Sequence, residues 1–180
     1  MKTHRRWGVA LAGALACCMA DVGAAYAGWE MHEFETPLGD KGIALRIAAK
    51  RFPDVHLAIA CDGDTGARWR GVAIVEDPDS RAGLGMRGDV LVRYGETSTR
   101  DLWSVRTTTD ERRIFTAPEA TKVARRMLRE EAGSPTPEVT IEIHGVGGKP
   151  VPLTFPLTGL KAKIGTLTAK CADWDLQAKE

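Results

Sequence analysis

The stretch GLGMRG at residues 83–88 has the letter pattern of a dinucleotide-binding turn, G-x-G-x-x-G. That turn functions where a strand ends and a helix begins, because the cofactor pyrophosphate sits on the helix N-terminus. Here a polar loop, EDPDSRA, precedes the motif and a strand pattern, DVLVRYG, follows it. The context predicts a flexible loop that leads into a strand. GVGGKP at 145–150 fails as a P-loop, since Pro150 stands where Ser or Thr would bind magnesium.

Two acidic clusters have the residue types of a cation site. Asp62 and Asp64 alternate in DGDTG as in a calcium loop, but a third ligand and a bidentate Glu are missing. This stretch is predicted to be a tight polar turn after a strand. Glu76, Asp77 and Asp79 cluster in VEDPD, and the proline between the two aspartates predicts a solvated turn.

Nucleophile and base patterns are absent from the sequence. His32, His56 and His144 lie singly on predicted strands, without metal-ligand spacing. No serine occupies the G-x-S-x-G context; the candidates are Ser80, Ser98, Ser104 and Ser134. We therefore predict no catalytic, cofactor-binding or metal-ligating residue, and no cofactor. A triad assembled from distant residues stays open. The alternative hypothesis is a small envelope hydrolase that uses His56 or His144 with the acids of 62–64.

The first 27 residues have the order of a secretory signal peptide: a basic start, a short apolar centre and an A-x-A exit at 25–27. The apolar run is too short to span a bilayer. Cleavage is expected before Gly28, which would place the protein in the periplasm or outside the cell. A minor alternative is a lipoprotein anchored at Cys17. Arg5 and Arg6 are interpreted as an ordinary basic region, because Trp7 and Gly8 do not suit twin-arginine export.

Residues 28–180 are predicted to form a single domain. They contain 22 Lys and Arg against 23 Asp and Glu, a formal charge of −1. A near-neutral surface gives no general field for nucleic acid or an anionic membrane. A chain of this length can bury one sizeable core.

Two cysteines, Cys61 and Cys171, remain after residue 27. In an oxidising compartment a pair of this kind most simply forms a disulfide. A metal-binding pair is not favoured, because there is no C-x-x-C and no suitable histidine spacing.

Period-two apolar patterns predict a series of strands. They are GIALRIAA, DVHLAIAC, RGVAIVED, DVLVRYG, RDLWSVRT, RRIFTA, EVTIEIHG and PVPLTFPL, with GVGGK as a hairpin turn between the last two. The fold class is mainly β (α+β): an antiparallel β-sandwich or curved sheet with two short helices. The tryptophans of the domain are assigned to core or edge packing: Trp29, Trp69, Trp103 and Trp174.

Two segments have helical periodicity. APEATKVARRMLREEAG opens with Pro118, closes with Gly133 and puts its apolar residues on one face. TGLKAKIGTLTAKCADW aligns Leu160, Ile164, Leu167 and Cys171, with Thr158 as the predicted N-cap. The first helix also carries a basic stripe, interpreted as a solvated face or as a surface for an anionic partner: Lys122, Arg125, Arg126 and Arg129.

Ordered motifs along the chain resemble the periplasmic domain of type VI secretion accessory proteins of the VasI/TagO kind. They are GWEM, AIACDGDTG, VLVRYG followed by LWSV, IFTAPEA, TIEIHGVGG, LTFPLTGL and a terminal CADW. The positions that match the family pattern are Trp29, Cys61, Arg93, Trp103, Phe155, Leu157, Gly159, Leu160, Cys171 and Trp174. The chain also resembles the invasion-associated locus B proteins, which end in a similar F/L-x-G helix.

Both resemblances imply an exported protein without a catalytic motif. The leading hypothesis is a non-enzymatic periplasmic protein that binds or supports another envelope protein or a cell-wall component, as a secretion-system accessory or an inhibitor-like module.

Overall fold

Ten strands form two antiparallel sheets in a computed structural model that describes residues 28–35, 41–62, 70–171 and 174–176. The predicted signal peptide, Cys17, Asp64 and Trp69 lie outside the described residues. The strands are β1 (Glu30–Glu35), β2 (Lys41–Ala48), β3 (Val55–Asp62), β4 (Arg70–Glu76), β5 (Asp89–Tyr94), β6 (Thr97–Leu102), β7 (Ser104–Thr107), β8 (Arg113–Thr116), β9 (Glu138–His144) and β10 (Pro150–Pro156). The helices are α1 (Ala120–Gly133) and α2 (Leu160–Lys170).

The larger sheet has the strand order β1-β2-β3-β4-β8-β7, and the smaller one β10-β9-β5-β6. Alternate residues of each strand point to the same side, and the apolar residues point into the core. Fully buried examples are Leu45, Leu57 and Ile74 of the larger sheet and Val92 and Ile141 of the smaller one. The mainly β prediction with two helices is confirmed, and the GVGGK turn joins β9 to β10 as predicted.

Trp103 divides what the sequence predicts as one strand, RDLWSVRT. β6 pairs with β5 in the smaller sheet, whereas β7 pairs with β8 in the larger one. The Trp103 side chain is buried between them, and its backbone N–H donates to the carbonyl of Gly88 at 2.6 Å. The chain therefore crosses from one sheet to the other at this residue. Strand β1 contains His32 but does not belong to the period-two segments, because EMHEFE lacks a clean apolar alternation.

Both predicted helices form, and α1 packs against β4, β5 and β9, whereas α2 packs against β2. The buried residues are Val123, Ala124 and Met127 on α1, and Leu160, Ile164 and Leu167 on α2. Thr158 as N-cap of α2 is wrong: that position belongs to Gly159, with φ 86°. The Glu131 carboxylate, from α1, accepts the N–H groups of Gly159 at 2.7 Å and Lys161 at 2.6 Å. A cap from another helix carries no local sequence signal.

The predicted disulfide is confirmed. Cys61 and Cys171 are bonded across a sequence separation of 110, and both are 2% exposed. The bond ties the end of α2 to β3, with the apolar side of the helix inward. Beyond it, Trp174 is buried and its indole N–H donates to the Thr121 hydroxyl at 3.1 Å. The core or edge assignment thus holds for Trp29, Trp103 and Trp174.

Candidate functional site

The glycines of GLGMRG meet a packing requirement at one end of the sandwich. As predicted, the motif is a loop that leads into β5. Gly83 has φ 61°, a conformation that favours glycine. A Cβ atom at Gly85 would lie 2.9 Å from the carbonyl oxygen of His144, and one at Gly88 would collide with the carbonyl oxygen of Trp103. We name residues 80–88 the capping loop. Its glycine spacing follows from close backbone approach to both β9 and the β6–β7 crossing.

Glu76 anchors this capping loop, and the predicted solvated turn is wrong for it. Its side chain has no exposed surface. Oε2 lies 2.9 Å from Nε of Arg113, and Oε1 accepts the N–H of Leu84 at 3.2 Å. Arg113 also donates from Nη1 to the Leu84 carbonyl. Strand β4 continues through Glu76, on the same inward face as Val72 and Ile74, and this parity was the available sequence signal.

Burial dominates the electrostatics of Glu76. Desolvation raises the pKa of this carboxyl group, while the Leu84 amide and the Arg113 charge act in the opposite direction. The two other acids of VEDPD fit the prediction better: Asp79 is exposed, and Asp77 pairs with Arg112 at 3.1 Å. Of these three acids, Glu76 is the one that is buried and anchors the capping loop.

A depression of about 270 Å³ lies between the capping loop and the β9–β10 hairpin. The Gly85 N–H donates to the His144 carbonyl at 2.8 Å, and the Val146 N–H donates to the Gly83 carbonyl at 2.9 Å, so loop and hairpin are hydrogen-bonded to each other. The residues that line the depression are Gly85, Met86, Arg87, Arg113, Gly145, Val146 and Gly148.

Exposed apolar side chains gather at this end. Among the described residues, the large hydrophobic side chains that are exposed are Met86 at 57%, Leu102 at 76% and Val146 at 78%. Met86 and Val146 line the depression. Leu102 ends β6 opposite Asp89, the residue that directly follows the capping loop. We name the depression together with Leu102 the end surface. Single exposed apolar residues are ordinary, whereas large contiguous apolar patches mark interaction sites in proteins generally.

Charged groups border the same surface. Arg87 is exposed, and in the described part of the chain no ion pair involves it. The Nδ1 atom of His144 lies 3.0 Å from the Gly148 carbonyl oxygen, and its Nε2 lies 3.8 Å from Oδ2 of Asp89. Asp89 is also 3.7 Å from Nε of Arg100.

The basic stripe on α1 is partly engaged within the chain. Lys122 donates to Glu119 at 2.7 Å, and Arg125 donates to the backbone carbonyl of Asp175 at 2.9 Å. Arg126 is half-buried, and Arg129 is exposed. A partner surface at these four residues stays a prediction.

The hydrolase hypothesis pairs His56 with the acids of 62–64, of which Asp64 lies outside the described part of the chain. His56 lies six positions before Asp62 on the same strand, β3, a distance of about 20 Å. Burial lowers the pKa of His56, and the neighbouring Arg46 adds to the effect. Nε2 of His144 lies 3.8 Å from Oδ2 of Asp89. Across residues 28–35, 41–62, 70–171 and 174–176, no group of three or more His, Cys, Asp or Glu side chains is placed to hold a metal.

None of the helices in the described residues has the length and apolar character needed to cross a membrane.

Comparison with solved structures finds a distant similarity. No protein-family model matches the chain, and no curated protein matches it. The crystal structure of invasion associated protein B from Bartonella henselae is similar, with a TM-score of 0.44 and 13% identity over 79% of this chain and 95% of that chain. This protein corresponds to the second of the two predicted resemblances. The type VI secretion resemblance stays a prediction.

Proposed function

We propose that this chain is an exported, non-enzymatic protein of the cell envelope that binds another envelope component through the end surface. The observation that carries the proposal is that the exposed side chains of Met86 and Val146 both line the depression, while exposed Leu102 pairs with Asp89 directly after the capping loop. Monomeric proteins that expose several large apolar side chains together commonly use them for recognition.

The surface is preorganised for binding. Hydrogen bonds join the capping loop to the β9–β10 hairpin, and the ion pair of Glu76 and Arg113 holds Leu84 beneath them. A surface fixed before the encounter loses less conformational entropy when a partner binds. The exposed residues of the end surface are therefore held in position by the buried residues beneath them.

Export is supported by two features. Residues 1–27 have the composition of a secretory signal, and the Cys61–Cys171 bond is of a kind that persists in oxidising compartments. Within this role, a secretion-system accessory and an inhibitor-like module are the two finer forms. They differ in the partner, which is a component of the secretion assembly in the first form and an enzyme in the second.

The test is site-specific photo-crosslinking in the cells that produce the protein. A crosslinking residue placed at Met86 or Val146 is expected to give one discrete product whose partner is the same at both positions. The matched control is Lys163, an exposed residue of α2 outside the end surface. The proposal fails if positions 86 and 146 give no product, or give the same products as position 163.

A further inference from the structure

We propose that the depression binds a carboxylate of a partner polypeptide, with an apolar side chain of the same segment on Met86 and Val146. The inference rests on the proposed binding function and names the chemistry of the partner.

Arg113 brings unused hydrogen-bond donors to the depression. A guanidinium has three nitrogens and five N–H groups. Nε faces Glu76 and Nη1 donates to the Leu84 carbonyl, while Nη2 has no partner in the described part of the chain. The side chain keeps 24% exposure and lines the depression. Because its other nitrogens are held, this guanidinium has a fixed orientation toward an incoming acceptor.

Arg87 adds a second cation to the lining. Arginine is suited to planar, bidentate recognition of carboxylates. The other lining residues are glycines and the two apolar residues, so among the described residues no acid lines the depression. Glu76 balances the charge of Arg113 from the buried side, where it is sealed from solvent. Arg87 therefore supplies the uncompensated positive charge, and an anionic group is the complementary ligand.

Met86 and Val146 determine what accompanies the carboxylate. A volume of about 270 Å³ lies just below the range of small-molecule sites and suits one or two residues rather than a folded surface. The methionine thioether adapts to differently shaped apolar partners. The expected ligand is a segment in which a carboxylate neighbours a leucine-like side chain. The carboxylate belongs either to an acidic side chain or to the chain terminus.

The test uses four short synthetic peptides and the full exported chain labelled for NMR. The first pair is acetyl-GLDLG-amide and acetyl-GLNLG-amide, and the second is acetyl-GGLL with a free carboxylate or an amide end. We expect the acidic member of one pair to shift the amide signals of Gly85, Met86 and Gly148. Its neutral counterpart should bind about tenfold more weakly, the loss of one charge-assisted contact. The pair that discriminates shows which carboxylate is used.

Arg87→Gln and Lys163→Gln form the matched variants, since each removes one exposed charge. Arg87→Gln should weaken the acidic peptide about tenfold at an unchanged melting temperature, and Lys163→Gln should not. Equal binding of acidic and neutral peptides, or equal effects of the two variants, overturns the inference. If crosslinks at positions 86 and 146 persist in that case, the partner chemistry is wrong and the binding function stands. If the peptides behave as expected but the crosslinks are absent, the proposed function fails instead.

Discussion

The Nε atom of Arg113 lies 2.9 Å from Oε2 of Glu76, and the pair holds both polar groups of the Leu84 backbone. A fully buried carboxylate thereby connects β4 and β8 to the capping loop that forms one side of the end surface. Removal of this carboxylate is expected to unfold the capping loop locally before the sheets unfold.

Glu76→Ala should destabilise the fold by about 3 kcal/mol, the lower end of the range for breaking a buried ion pair, because Arg113 keeps some exposure to water. Urea unfolding measures the loss, and hydrogen exchange should show the Leu84 amide deprotected first. Asp79→Ala, an exposed acid of the same turn, is the control and should change stability by less than about 0.5 kcal/mol. Equal effects of the two substitutions would contradict a stabilising role for the buried ion pair of Glu76 and Arg113.

The pH dependence of Glu76→Gln has a defined sign. The folded-state pKa of Glu76 is raised above its ordinary 4.5, so the folded protein binds this proton at a higher pH than the unfolded chain. Its contribution to stability is complete below pH 4.5 and is lost as the pH rises through the folded-state pKa. The free energy of unfolding of the Gln variant minus that of the wild type should therefore increase from pH 4.5 upward and then level off.

Urea titrations at a series of pH values measure this difference. His32 and His56, whose pKa values are lowered chiefly by burial, titrate in both proteins and cancel in the difference. A difference that falls with rising pH would show that the carboxyl group is stabilised in its charged form.

Glu131→Ala should cost about 1–2 kcal/mol, because one carboxylate caps two N–H groups at the start of α2. Glu131→Gln keeps one acceptor oxygen and should recover part of the loss. Chemical denaturation compares both with Glu130→Ala on the same helix. If Glu130→Ala is as costly as Glu131→Ala, the cap is not the source of the effect.

Replacing both bridged cysteines by serine should leave the protein folded but lower its stability by about 2–5 kcal/mol. The core is large enough to support folding without the bond. A thermal melt measures the change, and the crosslinks at positions 86 and 146 should persist at low temperature. An unchanged melting temperature, or crosslinks lost from a folded double variant, would show that the bond has another role.

The exported protein should begin at Gly28. The A-x-A exit at 25–27 determines this expectation. Intact-mass measurement of the protein recovered outside the cytoplasm decides it, and a lipid-modified species beginning at Cys17 would support the lipoprotein alternative instead.

Local patterns in the sequence were sufficient for much of the fold. Alternation placed Leu45 and Leu57 inward, and the spacing of Leu160, Ile164 and Leu167 predicted the buried face of α2. These features depend on residues a few positions away in the sequence, and so local sequence patterns predict them.

The features that the sequence concealed depend on distant partners. Glu131 caps a helix 28 residues later, and Arg113 stabilises the charge of Glu76 from another strand. Trp103 ends a strand because of where its side chain packs, not because of a turn residue. The depression likewise combines residues from the capping loop, β8 and the hairpin, which no single stretch of sequence displays together.

The position of Cys171 after the last strand and helix has a temporal consequence. In a chain that emerges from its N-terminal end, Cys61 appears early and cannot bond to Cys171 until strands β4 to β10 and both helices have followed. The bond can therefore form only after the elements that precede Cys171 have been synthesised. The fraction of molecules with free thiols measures how many chains have not yet formed the Cys61–Cys171 bond. A simple alkylation assay therefore follows the maturation of this protein over time.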